Sequence, residues 1–342
     1  MVTQKDVAKK AMVSTATVSA VINQNKYVSL ELTERVQKTI EVLNYEINLV
    51  ARSLKTKRTY TIGVILGNIL SNFYSVLARS IEENAKKHGF SIILCNGDDD
   101  PEEELKYLKV LKSSRVDGII LTPTGKNISY IKRLIKTGTN LIFIDRLING
   151  IDCDAVIVDN FNGAYKAVKH LIENGYRKVA IINGFIDRTT GRGRLDGYLK
   201  ALDESGIPRN DNLIKIGSFK KISGMILCRE LLTGTDKLEA IFTANLDITL
   251  GAIKIIKEMG LKIPNDVAIV GFDDSEWSTI IDPPLTCIRQ PTSELGNIVL
   301  EMLVKKINEN ADKALQNKPQ VIILETDLLV RSSSARRKGI NK

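Results

Sequence analysis

Apolar positions along the chain follow two patterns, a purely helical one as far as Tyr45 and an alternation of strand and helix from Tyr60 onward. In the first region, Thr3 followed three residues later by Asp6 reads as a capping box, and Val7, Ala8 and Ala11 form a small apolar face, so a short helix should end near Ala11. Ser14 caps a second helix, Thr15 to Ile22, which turns Val18, Val21 and Ile22 inward and leaves Thr15, Ala16, Ser19 and Ala20 outward. Ser29 opens a third, with Leu32, Val36, Ile40 and Leu43 at helical spacing. Three such helices close a miniature core of helix-turn-helix type. Residues 48 to 58 are helix-compatible but too short to be stable alone in water.

Beyond Tyr60, short β-rich runs recur at Ile62 to Leu66, Ile92 to Leu94, Gly118 to Leu121, Leu141 to Ile144, Ala155 to Val158, Val179 to Ile182, Ile241 to Thr243 and Val267 to Val270. Amphipathic helical stretches separate most of them, which predicts parallel sheets with right-handed crossovers. The expected division is a headpiece over 1–46, a linker over 47–59, and a region over 60–342 made of two cores. The first core should take 60–160 plus 291–320, including a helix over 291–310. The second should take 162–290 plus 321–331, with final strands at Val321 to Leu324 and Leu328 to Val330.

A length of 342 residues exceeds what one hydrophobic core sustains, in agreement with this division. Lys5, Asp6, Lys9 and Lys10 interrupt any apolar leader, and no stretch reaches ~18 uncharged apolar residues, so a cytoplasmic protein with no membrane partner is expected. Cys95, Cys153, Cys228 and Cys287 lie too far apart for paired metal-ligand spacing and read as buried free thiols. The only histidines, His88 and His170, are expected on helix surfaces and leave no raw material for a metal site or a histidine triad. The glycines at 191, 193 and 197 do not have dinucleotide spacing and read as a loop entering a helix. Without a Walker loop, nucleophile elbow or clustered acid/base pair, neither an enzyme nor a cofactor is expected. The charge of +9 is concentrated at the ends: residues 1–60 hold ten Lys/Arg against five Asp/Glu, and 331–342 hold five Lys/Arg and no acid. A basic end suits nucleic acid.

The runs Val2 to Ala11, Val13 to Asn23, Val28-Ser29, Leu43 to Tyr45 and Asn48 to Leu54 resemble the lactose/galactose repressor (LacI/GalR) family. Val116 to Ile120, Ile144 to Arg146, Val158 to Asn160, Arg194 to Tyr198, Ala244-Asn245, Gly271 to Asp274, Pro284 to Thr286, Gln290-Pro291 and Leu329 to Arg331 extend the likeness across nearly the whole chain. The resemblance implies an all-α helix-turn-helix DNA-binding domain plus an α/β periplasmic-binding-protein-like core of two doubly wound parallel-sheet subdomains. It implies a dimeric repressor of carbohydrate genes that binds double-stranded operator DNA. Thr15 and Ala16 would read bases, with Thr3, Thr17, Ser19, Ala20 and Asn23 completing the DNA face. Val50, Ala51 and Leu54 would belong to a hinge helix over 48–55 whose Leu54 wedges into the minor groove. Around a cleft between the cores it places Leu70, Ser71, Asn72, Phe73, Asp145, Arg146, Arg194, Asn245 and Asp273. Carboxylate, amide and guanidinium groups beside an aromatic face suit a small sugar or sugar-acid effector.

Three positions depart from the family pattern: Ala20 stands where many members have a guanine-reading arginine, Ile47 where proline is common, and Leu246 where an acid follows the asparagine. Arg146, Arg192 and Arg194 would suit an anionic sugar, and the Trp277 to Thr292 stretch is similar to regulators of ketodeoxygluconate and uronate metabolism. Glu301 disfavours a phosphorylated protein as corepressor, and the tail lacks the leucine heptads of a tetramer, so a homodimer is expected. An exported solute-binding protein would share the cleft but not the helix-turn-helix pattern.

Overall fold

The computed structural model describes residues 2–23, 26–45, 58–309 and 318–335. The chain divides into two compact units, Met1–Thr59 and Tyr60–Lys342. The expected hinge, with Val50, Ala51 and Leu54, lies outside the described residues.

The first unit contains α1 (Gln4–Ala11), α2 (Thr15–Asn23) and α3 (Leu30–Val42). Thr3 caps α1 reciprocally: the Thr3 N–H donates to Asp6 Oδ2 at 2.8 Å and the Asp6 N–H to Thr3 Oγ1 at 3.4 Å. Met12 ends the helix in the left-handed region at φ 53°. Ser14 Oγ accepts the Thr17 N–H at 3.0 Å and so starts α2. Val7, Ala8, Ala11, Val18, Val21 and Val36 make the core, with Ile40 and Leu43 packed against it. Thr15 and Ala16 are exposed and Ser19 is half-buried, but Ala20, expected outward, is buried. One residue advances ~100° around a helix, which puts Ala20 at the edge of the stripe that begins at Val21.

The second unit contains two six-stranded sheets, ordered β11-β5-β4-β3-β1-β2 and β12-β10-β9-β8-β6-β7. The first is built from β1 (Thr61–Leu66), β2 (Ser91–Asn96), β3 (Gly118–Leu121), β4 (Leu141–Ile144), β5 (Ala155–Val158) and β11 (Val321–Leu324). Its helices are α4 (Asn72–Lys87), α5 (Pro101–Ser113), α6 (Ile128–Lys136) and α11 (Thr292–Asn308). The second holds β6 (Val179–Asn183), β7 (Ile214–Ile216), β8 (Ala240–Thr243), β9 (Ala268–Phe272), β10 (Thr286–Arg289) and β12 (Asp327–Leu329), with α7 (Asn160–Glu173), α8 (Thr189–Glu204), α9 (Lys221–Thr233) and α10 (Leu246–Glu258). All pairings are parallel except β10 with β12. Each sheet is covered on both faces by apolar clusters, as parallel strands require.

The chain passes between the cores after β5, after β10, and between β11 and β12. This corrects the expected division. Val321–Leu324, assigned by sequence to the second core, pairs in parallel with β5 in the first, and only β12 returns to the second. Two strands, β7 and β10, were not foreseen. The 191–197 glycines already lie inside α8, rather than in a loop before it. They allow helices to approach: a Cβ at Gly197 would stand 2.2 Å from the Phe161 carbonyl oxygen of α7. His170 is half-buried instead of lying on a helix surface, its Nε2 2.8 Å from Ser334 Oγ. The four cysteines are free and buried, and burial pushes the thiols of Cys153, Cys228 and Cys287 up to about 12.

Candidate functional site

Parallel strands present their carboxyl ends to one side, and where two such sheets face each other the following loops form a cleft. Here the loops after β1, β2 and β4 of the first core meet those after β6, β7, β8, β9 and β10 of the second around about 500 Å³ of space, mouth included. Of the residues singled out by sequence, Ser71, Phe73, Asp145, Arg146, Arg194, Asn245 and Asp273 line it. Leu70 and Asn72 do not: both are exposed, because the backbone entering α4 turns Ser71 and Phe73 inward and the residues that alternate with them out. Sequence reasoning passed over Asn68, Tyr74, Asp99, Thr190, Phe219, Lys220, Asp247 and Gln290, which also line the cleft. Gln290 stands within a quoted family motif, whereas Asp99 and Phe219 come from turns that carry no pattern.

The first-core wall is a network around Arg146 that leaves its Nε buried without a hydrogen bond, 3.3 Å from Asp145 Oδ2. The Tyr74 hydroxyl donates to Asp145 Oδ2 at 2.8 Å, and Arg146 donates to the Tyr74 oxygen at 3.1 Å and to Asp99 Oδ1 at 2.5 Å. Burial pushes the Tyr74 phenol well above its ordinary value. Burial opposes the charge on Arg146, but Tyr74, Asp99 and Asp145 outweigh it and hold the guanidinium above its ordinary value.

On the second-core wall, Arg194 Nε donates to Asn160 Oδ1 at 2.8 Å and Nη1 to the Ala244 carbonyl, while its guanidinium lies 3.8 Å from the centre of the Phe272 ring. Asn245 caps α10, its Oδ1 accepting the Ile248 N–H at 2.9 Å and its amide donating to the Phe219 carbonyl at 2.9 Å. Asp273 accepts from Gln290 Nε2 and, at 3.4 Å, from the Leu246 N–H. Burial pushes its carboxyl up against the pull of Arg194.

Asp145 and Asp273 follow β4 and β9 at equivalent places and share a left-handed backbone, φ 70° and 78°. That conformation costs about 1–2 kcal/mol for a residue with a Cβ and aims both carboxylates at the cleft. Thr190 Oγ1 and Gln290 Oε1 are buried without a hydrogen bond, as are Nε and Nη1 of Arg188, two residues before Thr190. Such groups are costly unless a bound molecule supplies the partner. Two exposed ion pairs, Lys126 with Asp187 and Lys220 with Asp98, each 3.0 Å, tie one core to the other. Trp277 packs against the second core and does not line the cleft, whereas Gln290, near the other end of the Trp277 to Thr292 stretch, does. No group of metal-ligating side chains exists among the described residues.

In the first unit, Thr15 and Ala16 stand exposed at the start of α2, and Thr17 is half-buried with its hydroxyl 2.9 Å from Ser14 Oγ. Thr3 is exposed and held by Asp6. Asn23 closes α2, and its side chain lies outside the described residues.

Comparison with known proteins matches residues 3–48 to bacterial regulatory proteins of the lacI family, and residues 59–328 to the periplasmic binding proteins and sugar binding domain of LacI family. The chain is 35% identical over 333 residues to the HTH-type transcriptional repressor PurR of Haemophilus influenzae (strain PittEE), covering 97% of this chain and 98% of that one. It is also 35% identical over 311 residues to the ribose operon repressor of Escherichia coli (strain K12), covering 90% and 94%. A crystal structure of the lac repressor dimer bound to operator and the anti-inducer ONPF matches with a TM-score of 0.85 at 27% identity, covering 98% and 99%.

Proposed function

The chain belongs to the lacI family of bacterial regulatory proteins, and from that premise we propose that it is a cytoplasmic repressor of carbohydrate catabolic genes, binding double-stranded operator DNA as a homodimer under the control of a small sugar held in the cleft. The observation that carries this reading is the convergence, in a chain that begins with a helix-turn-helix unit, of buried groups from both cores on one cleft where some have no bond within the protein. Aromatic side chains at Phe73 and Phe219 beside carboxylates and amides suit a ring bearing vicinal hydroxyls.

In this reading 1–46 is the DNA-binding headpiece, 47–59 the hinge, and 60–342 the effector-binding and dimerisation region. The exposed start of α2 enters the major groove, where Thr15 and Ala16 approach base edges, with Thr3, Thr17, Ser19, Ala20 and Asn23 around them. Val50, Ala51 and Leu54 act in the minor groove. Large apolar side chains left bare on both cores, Leu70 on the first and Ile222, Ile226 and Ile280 on the second, support a dimer that covers them.

Operator sequence is found by selecting from randomised duplexes with the full chain, and affinity is then read by fluorescence anisotropy at fixed salt. The selected duplex should bind ~10³-fold or more tighter than random DNA, and a cleft-binding sugar should change that affinity about fivefold or more. Equal binding of selected and random DNA would sink the repressor reading.

A further inference from the structure

Three cations and four carboxylates line the cleft, and they are not equally engaged. Arg146 is matched by Asp99 and Asp145, and Lys220 by Asp98. Arg194 is taken up by Asn160, the Ala244 carbonyl and the Phe272 ring, with Asp273 close by. Among the carboxylates, Asp99, Asp145 and Asp273 all accept hydrogen bonds from the protein. Asp247 accepts none among the described residues.

Asp247 is the second residue of α10 and half-buried at the cleft wall. A carboxylate in the first turn of a helix is favoured by the helix dipole, which would explain an acid here with no ligand in view. Its surroundings oppose that explanation. Burial and the neighbouring Asp273 both push the Asp247 carboxyl above its ordinary value, with only Lys221 pulling the other way. Gln290 donates its amide N–H to Asp273, so its buried, unbonded Oε1 can only accept. This wall therefore offers acceptors and surplus negative charge. Arg188 does not reach the lining, and it shares its charge with Asp187 at 3.6 Å.

We propose that Asp247 is a specificity-determining residue that makes the cleft a site for a hydrogen-bond-donating sugar, neutral or amine-bearing, and turns away sugar acids and sugar phosphates. The inference rests on the sugar-controlled reading above and names the class of effector. A molecule with hydroxyl or ammonium donors offers partners to Asp247 and to Gln290 Oε1, whereas a carboxylate or phosphate beside them meets Asp247 and Asp273; Arg146 Nε, the buried cationic nitrogen of the lining left without a hydrogen bond, stands on the first-core wall 3.3 Å from the Asp145 carboxylate.

The test measures calorimetric affinity of the full chain for D-ribose, D-ribose 5-phosphate, D-glucose, D-glucosamine and D-glucuronate, with Asp247→Asn, the alternative neutral variant Asp247→Ser, and Asp247→Glu as the charge-retaining control. A neutral or amine-bearing probe should bind best. Either neutral variant should weaken that probe about tenfold or more and narrow the gap to its acidic counterpart, and Asp247→Glu should keep the preference. Melting temperature without sugar shows that each variant is folded. Tightest binding by an acid or phosphate, an unchanged preference in the folded neutral variants, or no binding by any uncharged or amine-bearing probe would overturn the proposal. A wild-type chain that fails to prefer its selected DNA would count instead against the repressor reading.

Discussion

Arg146 is only 3% exposed and lies between Asp99, Asp145 and Tyr74, so removing it takes the paired cation from Asp99 and from the buried Asp145, which keeps only its hydrogen bond from the Tyr74 hydroxyl. Breaking a buried pair from one side costs about 3–5 kcal/mol. Arg146→Ala should therefore lower the thermal midpoint of the second unit by several degrees even without ligand, and a calorimetric scan with an unchanged midpoint would show that the network does not hold the first-core wall. The residue was legible in the sequence because Ile144-Asp-Arg146 matches a family motif at the end of an apolar run. Its partner Asp99 was not, since an aspartate in a polar turn carries no periodic signal and becomes a cleft residue only when β2 is placed beside β1. Ala20 shows the opposite failure. Its outward position was inferred from a helical wheel, on which a single methyl at the stripe edge cannot be told from an exposed one.

The helices of the second core owe their close approach to glycines that helix propensity alone would disfavour. Alanine in place of an exposed helical glycine is worth about 0.5–1 kcal/mol in the helix's favour, but a Cβ at Gly197 would enter the Phe161 carbonyl of α7. Gly197→Ala is thus expected to destabilise by about 1–3 kcal/mol, the range for forced overpacking, and a raised melting temperature would mean that α7 and α8 can move apart freely. Element by element, the strands with continuous apolar runs, such as β3, β4 and β5, could be read from the chain because strands buried on both faces need nothing but apolar residues. The edge strand β7 is three residues with a lysine at its centre, and β10 begins with a threonine and ends with an arginine, so neither makes a run. The sheet to which β11 belongs was not readable at all. Its apolar run states that it is a strand, whereas its partner is decided by the route taken by the third crossing.

At the scale of the whole second unit, the ion pairs Lys126–Asp187 and Lys220–Asp98 are the exposed charges that span the cleft. Exposed pairs contribute about 0.2–1 kcal/mol each and fade with salt. Lys126 does not line the cleft, so Lys126→Glu should reduce sugar affinity only about two- to fivefold by disfavouring closure, and raised ionic strength should shrink the difference. A loss that ignores salt would point to a direct contact instead. The three crossings have a further consequence, which concerns the order of synthesis. Gln320 donates to Asp154 at 2.8 Å across 166 residues, and the adjoining β11 completes the sheet whose other strands are all made by Val158. At roughly 5–20 residues per second of translation, β5 waits some ten to thirty seconds for its neighbour. During that interval the nascent chain carries an apolar strand with one open edge, a template for pairing with the wrong partner. The interleaved cores that set the cleft walls in register thus leave the growing polypeptide dependent on slow translation being outpaced by neither aggregation nor proteolysis.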